Sequence, residues 1–263
     1  VTDSEGEIKA CCAGFYQSNI VRLLLGDVLH PGGLQLTHHL GDVLALGKDD
    51  RVLDIACGPG SSAVYMAKQF GCHVTGLDYS AETLSQAEKH AASQGVTHPT
   101  HFGQGDAELL PFEDGSFDAV ISECSLCTFP NKTTAAHEMA RVIRSGGRLG
   151  ITDVTLDGSL PDDIQSLLGW VSCIAGAVST QDYVSLLGDA GFSHFTVEDH
   201  REAGRALVED IRRKLLGIEM VMGLGKLEFG EIDPKGTREV LQRVATLINE
   251  GVIGYALIAA TKL

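Results

Sequence analysis

A glycine-broken turn between an apolar strand and a helix constrains this chain more than any other feature. The turn is Asp54-Ile55-Ala56-Cys57-Gly58-Pro59-Gly60. Arg51-Val52-Leu53 before it reads as a buried strand, Ser61 to Phe70 after it as a helix, and His73-Val74-Thr75-Gly76-Leu77 as the next strand. Asp78 follows Gly58 by 20 residues and ends that second strand. Together these make a βαβ unit whose glycines let the backbone approach a ligand closely and whose acid stands where a ribose would lie. The arrangement suits an adenosine-containing ligand held at the carboxyl ends of parallel strands.

The same alternation continues along the chain. Strands are expected at 51–55, 73–77, 101–104, 117–122 and 147–153, with helices at 61–69, 81–93 and 132–143. Ser145-Gly146-Gly147 is expected to close the last of these helices, since glycine readily takes the left-handed cap. Strict alternation of this kind implies a doubly wound, mostly parallel α/β sheet. Ahead of it, residues 8–29 and 34–46 are apolar at helical spacing, separated by the turn His30-Pro31-Gly32-Gly33. Beyond Asp153 the pattern predicts helices at 162–168 and 180–190, a strand at 193–199, helices at 205–216 and 237–249, and a terminal strand at 254–262. The expected organisation is an N-terminal helical cap (1–47), a core with seven strands in all begun at 48–201, and a helical insertion with the closing strand at 202–263. The insertion reads equally as a lid, a packing appendage or a dimer surface.

Composition narrows the partners. Lys+Arg number 20 against 35 Asp+Glu, a net charge of −15, with no cationic cluster to grip a phosphate backbone, so nucleic acid is not expected. The longest apolar stretch, near Gly251 to Ala260, is far short of the roughly 20 residues that span a bilayer. The opening Val1-Thr2-Asp3-Ser4-Glu5-Gly6-Glu7 is acidic rather than signal-like, and a soluble, cytoplasmic protein is the expectation. The seven cysteines then read as reduced thiols rather than a disulfide framework.

The loop does not follow the nicotinamide pattern Gly-x-Gly-x-x-Gly, because Ala63 stands three residues beyond Gly60. Instead four stretches occur in register: Asp54 to Gly60; Asp78-Tyr79; Gly105-Asp106-Ala107-Glu108-Leu109-Leu110-Pro111-Phe112; and Phe117-Asp118-Ala119-Val120-Ile121-Ser122-Glu123, followed by Val142-Ile143-Arg144-Ser145-Gly146-Gly147-Arg148-Leu149. In order and spacing, over roughly residues 45 to 155, they resemble class I S-adenosylmethionine-dependent methyltransferases. The resemblance implies an S-adenosyl-L-methionine cofactor. Asp54, Ala56, Gly58 and Gly60 would lie by its methionine part, Asp78 and Tyr79 by the ribose, Asp106 and Ala107 by the adenine, with Glu123 beyond. Tyr16 reads either as a partner of the cofactor carboxylate or as a core aromatic.

The acceptor is read from cysteines. Cys124 follows the fourth strand in Ser122-Glu123-Cys124-Ser125-Leu126-Cys127, and Cys173 follows the fifth in Trp170-Val171-Ser172-Cys173-Ile174-Ala175-Gly176-Ala177. Cys11-Cys12 lie in the N-terminal helical region. Both central segments, with Phe129-Pro130-Asn131-Lys132, resemble arsenite methyltransferases, in which two cysteines at these positions hold arsenic. The resemblance implies Cys124 and Cys173 as ligands of a trivalent arsenical, with Cys11 or Cys12 as a further one. The N-terminal cysteines depart from the family, since Phe15-Tyr16 follow them instead of preceding them. Thiolates are suited to the task, because arsenic is soft and its lone pair is itself a nucleophile needing no general base. Antimony, selenium or mercury species fit the same thiols.

Cys57 and Cys72 read as packing residues. Cys124-x-x-Cys127 also admits redox or zinc chemistry. His38-His39 read as surface or packing residues, and His137-Glu138 as a solvated helix face. The His30–Gly33 turn reads either as a helix-breaking turn or as a close neighbour of the cofactor. Two other functions remain open. A methyltransferase for a small organic acceptor, quinone- or sterol-like, would want a base, with Glu123, His30 or Tyr16 as candidates. A non-catalytic binder of the cofactor or of a metalloid would show binding without transfer.

Overall fold

The computed structural model describes residues 6, 9, 14, 23–26, 28–160, 174, 176–223 and 234–263. The expected strands are present as β1 (Arg51–Ile55), β2 (His73–Asp78), β3 (Thr100–Gln104), β4 (Phe117–Glu123), β5 (Ile143–Leu156), β6 (Phe192–Asp199) and β7 (Ile253–Lys262). Their order in the one sheet is β3-β2-β1-β4-β5-β7-β6. Neighbours from β3 to β5 are parallel, and β7 runs antiparallel to both β5 and β6. The helices are α1 (Gly33–Val43), α2 (Ser61–Phe70), α3 (Ala81–Gln94), α4 (Lys132–Val142), α5 (Thr180–Asp189), α6 (Arg201–Gly223) and α7 (Pro234–Asn249).

Period-two alternation sorts the strand residues onto two apolar layers. Val52, Ile121 and Leu257 face one layer, with Leu40 of α1, Met66 of α2, Leu215 of α6 and Val244 of α7. Leu53, Val120 and Ile258 face the other, with Met139 of α4 and Leu187 of α5. Both faces are covered, which is why β1 is buried at every position after Arg51. The sheet is therefore doubly wound and mostly parallel, with the α6–α7 pair inserted ahead of the last strand, as expected.

One junction differs. Helix α4 ends at Val142, and its C-cap Ile143 is already extended (φ −79°, ψ 134°), so no left-handed glycine closes it. Strand β5 starts at once, and Gly146 (φ 71°) lies within it. There the register with β4 slips: Phe117 pairs with Ile143, but Ala119 with Arg148. The glycines make a bulge in a strand rather than the cap of a helix. Expected segments 8–29, in large part, and 162–168 lie outside the described residues.

Between β1 and β4 the strand order reverses. Such a switch point opens a crevice beyond the carboxyl ends of the strands. The turn after β1 and the end of β4 flank that crevice.

Candidate active site

The turn after β1 is built to bring main chain to the crevice. Gly60 caps α2 in the left-handed conformation (φ 77°), and a Cβ on it would stand 2.8 Å from Ala87 Cβ and 3.1 Å from the Phe102 ring. Only glycine fits both the angle and the space. Asp78 then braces the loop: Oδ2 accepts the Gly58 N–H at 2.9 Å, and Oδ1 accepts the Ser80 N–H at 2.9 Å. Burial raises its pKa above the usual carboxylate range, against the pull of those backbone donors.

Asp54 is 2% exposed. Burial first, then the charges of Glu123 and Asp78, push its carboxyl well above the ordinary range, while the Ala63 N–H opposes the shift. Its Oδ2 is buried without a hydrogen-bond partner. Asp78 and Glu123 line the cleft and the buried Asp54 feels the charge of both, an arrangement that favours a cationic ligand.

Glu123 closes the floor, its side chain 4% exposed. It accepts from Thr37 Oγ1 at 3.1–3.2 Å and from Ser62 Oγ, and His30 Nε2 lies 3.5 Å away. His30 Nδ1 sits 3.1 Å from the Pro31 carbonyl, which can only accept, so Nδ1 carries a proton; Nε2 faces Thr37 Oγ1 at 3.2 Å. The His30–Gly33 turn is therefore a neighbour of the cleft, seated on Glu123. Sequence alone offered no sign that Thr37 and Ser62 would join it.

At the opposite end, Asp106 and Ala107 line the cleft with Tyr79, Thr83 and Gln86, the last two contributed by α3 and unanticipated. Asp106 Oδ1 accepts the Glu108 N–H at 2.9 Å, and Lys9 Nζ pairs with Asp106 at 2.8 Å and Glu108 at 2.7 Å. Burial lowers the Lys9 pKa, but these two pairs outweigh it and leave the group above its usual value. The segment is fixed from behind by Glu138, which accepts the Leu110 N–H at 2.7 Å while Arg141 donates to the Leu110 and Phe112 carbonyls. The expectation of a solvated face is thus corrected at Glu138: its carboxylate is a bracket for the β3–β4 connection.

The cysteines divide. Cys57 and Cys72 are buried, and burial pushes both thiols up, Cys72 to about 11, so both pack as neutral groups. Cys124 lines the cleft beside Glu123, in the left-handed conformation (φ 55°), its N–H donating to the Thr152 carbonyl at 2.6 Å. Cys127, in the short turn Leu126–Thr128, is 1% exposed, and its N–H donates to Asp153 Oδ2 at 2.9 Å. Lys132 Nζ donates to the Phe129 carbonyl at 3.0 Å. Burial lowers the Lys132 pKa, opposed by the charges of Cys127, Asp153 and Glu108. Gly176 packs so tightly on this turn that any Cβ would overlap the Cys127 carbonyl oxygen, with Lys132 Nζ 3.4 Å off. Cys11, Cys12, Tyr16 and Cys173 lie outside the described residues.

Over residues 46–191 the chain matches the family described as "Methyltransferase domain". The chain belongs to this methyltransferase family. It is 31% identical to the O-methyltransferase cnsE of Penicillium expansum over 88% of the chain and 79% of that protein. It is 34% identical to the arsenite methyltransferase of Halobacterium salinarum, over 56% of the chain and 38% of that protein. Two further curated relatives are matched over 66% and 55% of their lengths. Among solved structures, the phosphoethanolamine N-methyltransferase 2 of Haemonchus contortus shares the fold at a TM-score of 0.82, with 18% identity over 97% of the chain and 60% of that protein.

The cofactor of this methyltransferase is S-adenosylmethionine, and the residues present fit it. Its sulfonium and ammonium charges would be complemented by Asp78 and Glu123, which line the cleft, with the buried Asp54 and its unpartnered Oδ2 adding to the same field. Asp78 and the Gly58–Gly60 main chain would hold its ribose and methionine parts. No helix among the described residues is long and apolar enough to cross a membrane.

Proposed function

We propose that this methyltransferase transfers the methyl group to a thiolate-bound trivalent arsenical, with Cys124 and Cys173 as ligands and Cys11 or Cys12 as a further one. The cofactor, when bound, supplies a methyl group on a sulfonium leaving group. The observation that carries the reading is Gly176 against Cys127: three residues after Cys173, the main chain abuts the turn that follows Cys124. The Lys132 ammonium lies beside this turn, close enough for the charge of Cys127 to oppose the burial that lowers the Lys132 pKa.

A second observation concerns bases. Glu123 already accepts from Thr37 and Ser62, and His30 has one nitrogen on Pro31 and the other on Thr37 and Glu123. A base acting from either group would have to share or give up these hydrogen bonds. A lone-pair nucleophile needs no such base, so catalysis would consist mainly of positioning the acceptor against the methyl group. The likeness to an O-methyltransferase over 88% of the chain favours a small organic acceptor as the second reading.

Incubation with arsenite, a thiol and labelled cofactor tests both. Methylated arsenicals are expected, with Cys124→Ser and Cys173→Ser each removing most activity and the double variant adding little, because two ligands act as one chelate. Full rates in both single variants would remove the ligand assignment. A wild type that never methylates arsenic but accepts an organic hydroxyl would establish the second reading.

A further inference from the structure

We propose that His39, Glu198 and His200 form a binding site for a divalent transition metal, suited to zinc, which ties α1 to the corner between β6 and α6. His39 stands 159 positions from Glu198, which is two before His200, and the fold brings the three together among residues that do not line the cleft. His39 Nε2 lies 2.6 Å from Glu198 Oε2, and His200 Nε2 lies 3.1 Å from the same oxygen. All three ligand atoms fall within 4.8 Å of one another. The two imidazole rings stand 5.8 Å apart at 57°. They flank the carboxylate rather than stack on each other.

The site is partly open, with side-chain exposures of 44% for His39, 32% for Glu198 and 24% for His200. An ion can enter and keep a water as its fourth ligand. The main chain at His200 is fixed, its N–H donating to the Tyr255 carbonyl at 2.7 Å. The adjacent Asp199 is engaged with Arg201 and takes no part. Two imidazole nitrogens and one carboxylate oxygen are a zinc donor set, in which ligands about 2.0–2.1 Å from the ion stand roughly 3.3 Å from each other. The observed separations reach that spacing by small side-chain rotations. The absence of sulfur from the set disfavours the softest ions, and imidazole disfavours magnesium and calcium.

In the metal-free state both rings turn Nε2 to one carboxylate oxygen, and their hydrogen bonds hold Glu198 below the usual carboxylate range despite some burial. A metal would replace that shared hydrogen bonding with bonds to itself. The clamp bears on α1, which two residues before His39 carries Thr37, a donor to Glu123 in the cleft. This inference is independent of the acceptor chemistry and of every cysteine.

The test uses the full chain with zinc chloride alone, comparing wild type with Glu198→Gln and with the double variant His39→Gln/His200→Gln, all keeping their seven cysteines. Zinc content after gel filtration and titration calorimetry should show one more equivalent in wild type, and at least tenfold weaker binding there in either variant. Zinc should also raise the melting temperature of wild type and not of the variants, each measured against its own chelator-treated sample, so that any loss of metal-free stability is subtracted. Equal zinc content and equal melting shifts in wild type and double variant would overturn the proposal.

Discussion

Replacing Asp78 by Asn changes almost no volume, and its consequences separate two roles of one carboxylate. In the wild type, Oδ2 holds the Gly58 N–H and Oδ1 the Ser80 N–H, each at 2.9 Å. The amide keeps one acceptor and turns a donor toward the other N–H, an unsatisfied contact costing about 1–3 kcal/mol. Against this, burial disfavours the charge of Asp78, as its raised pKa records. Asp78 also raises the pKa of Asp54, so the like charge on the floor is relieved as well. The two effects oppose each other, and the stability of the cofactor-free protein should shift by no more than about 1 kcal/mol. Nothing offsets the loss in the complex. A charge-assisted hydrogen bond to a ribose hydroxyl contributes about 1.5–3 kcal/mol, or roughly ten- to 150-fold in affinity. Calorimetry with S-adenosylmethionine and thermal melts of the free protein measure the two quantities separately. Affinity unchanged in a folded Asp78→Asn protein would refute the assignment of the ribose site. A collapse in stability that accounts for the whole loss of affinity would show Asp78 to be a brace for the loop alone.

Asp54 should release a proton when the cofactor binds. Its folded pKa is raised in the free protein, so its contribution to stability is present at low pH and declines as pH rises through that raised value. A cationic ligand favours the carboxylate, so affinity should climb between the ordinary range near about 4 and the raised value, then level off. Binding enthalpies should differ among buffers of different ionisation enthalpy, and Asp54→Asn should abolish the difference; identical enthalpies in wild type would contradict the reading. Cys57, buried and neutral, should be a packing residue: Cys57→Ala should cost stability while leaving arsenite affinity within about twofold. Loss of arsenite binding in that variant would undo the division of the cysteines.

What could be read from the chain was whatever is local. Strands β1, β2 and β4 announce themselves by short apolar runs, and the Gly58–Gly60 turn by residues that few other conformations tolerate. The separation of Asp78 from Gly58 is local too, because one helix and one strand span it. The errors lie where a local signal has two uses. Gly146-Gly147 suits a helix cap and a bulge alike, and the choice was made by the pairing of β5 with β4. Glu138 looks like one more exposed acid on a helix until the β3–β4 connection is laid across it. Thr37, Ser62 and His30 carry no pattern linking them to Glu123. Nor does His39 to Glu198 and His200, since only the closed sheet and the packing of α1 against it bring such separations to hydrogen-bonding range.

The same distinction explains why the cofactor side of this site is more legible than the acceptor side. The cofactor would be held by main chain at Gly58 and Gly60 and by an acid fixed to the end of β2, all within one βαβ unit. The proposed acceptor end would draw on the termini of β4 and β5 and on Gly176. Each of these is positioned by long-range contacts: Cys124 through Thr152, Cys127 through Asp153, and Gly176 through the Cys127 carbonyl. A fold divided in this way can keep one methyl donor while its acceptor changes, because substitutions in the β4 and β5 extensions leave the β1–β2 unit intact. In this chain Glu123 joins the halves: it lines the cleft next to Cys124, yet is held by Thr37 of α1 and Ser62 of α2. A carboxylate held from both helices in this way fixes α1 and α2 against the end of β4, where the two halves of the cleft meet.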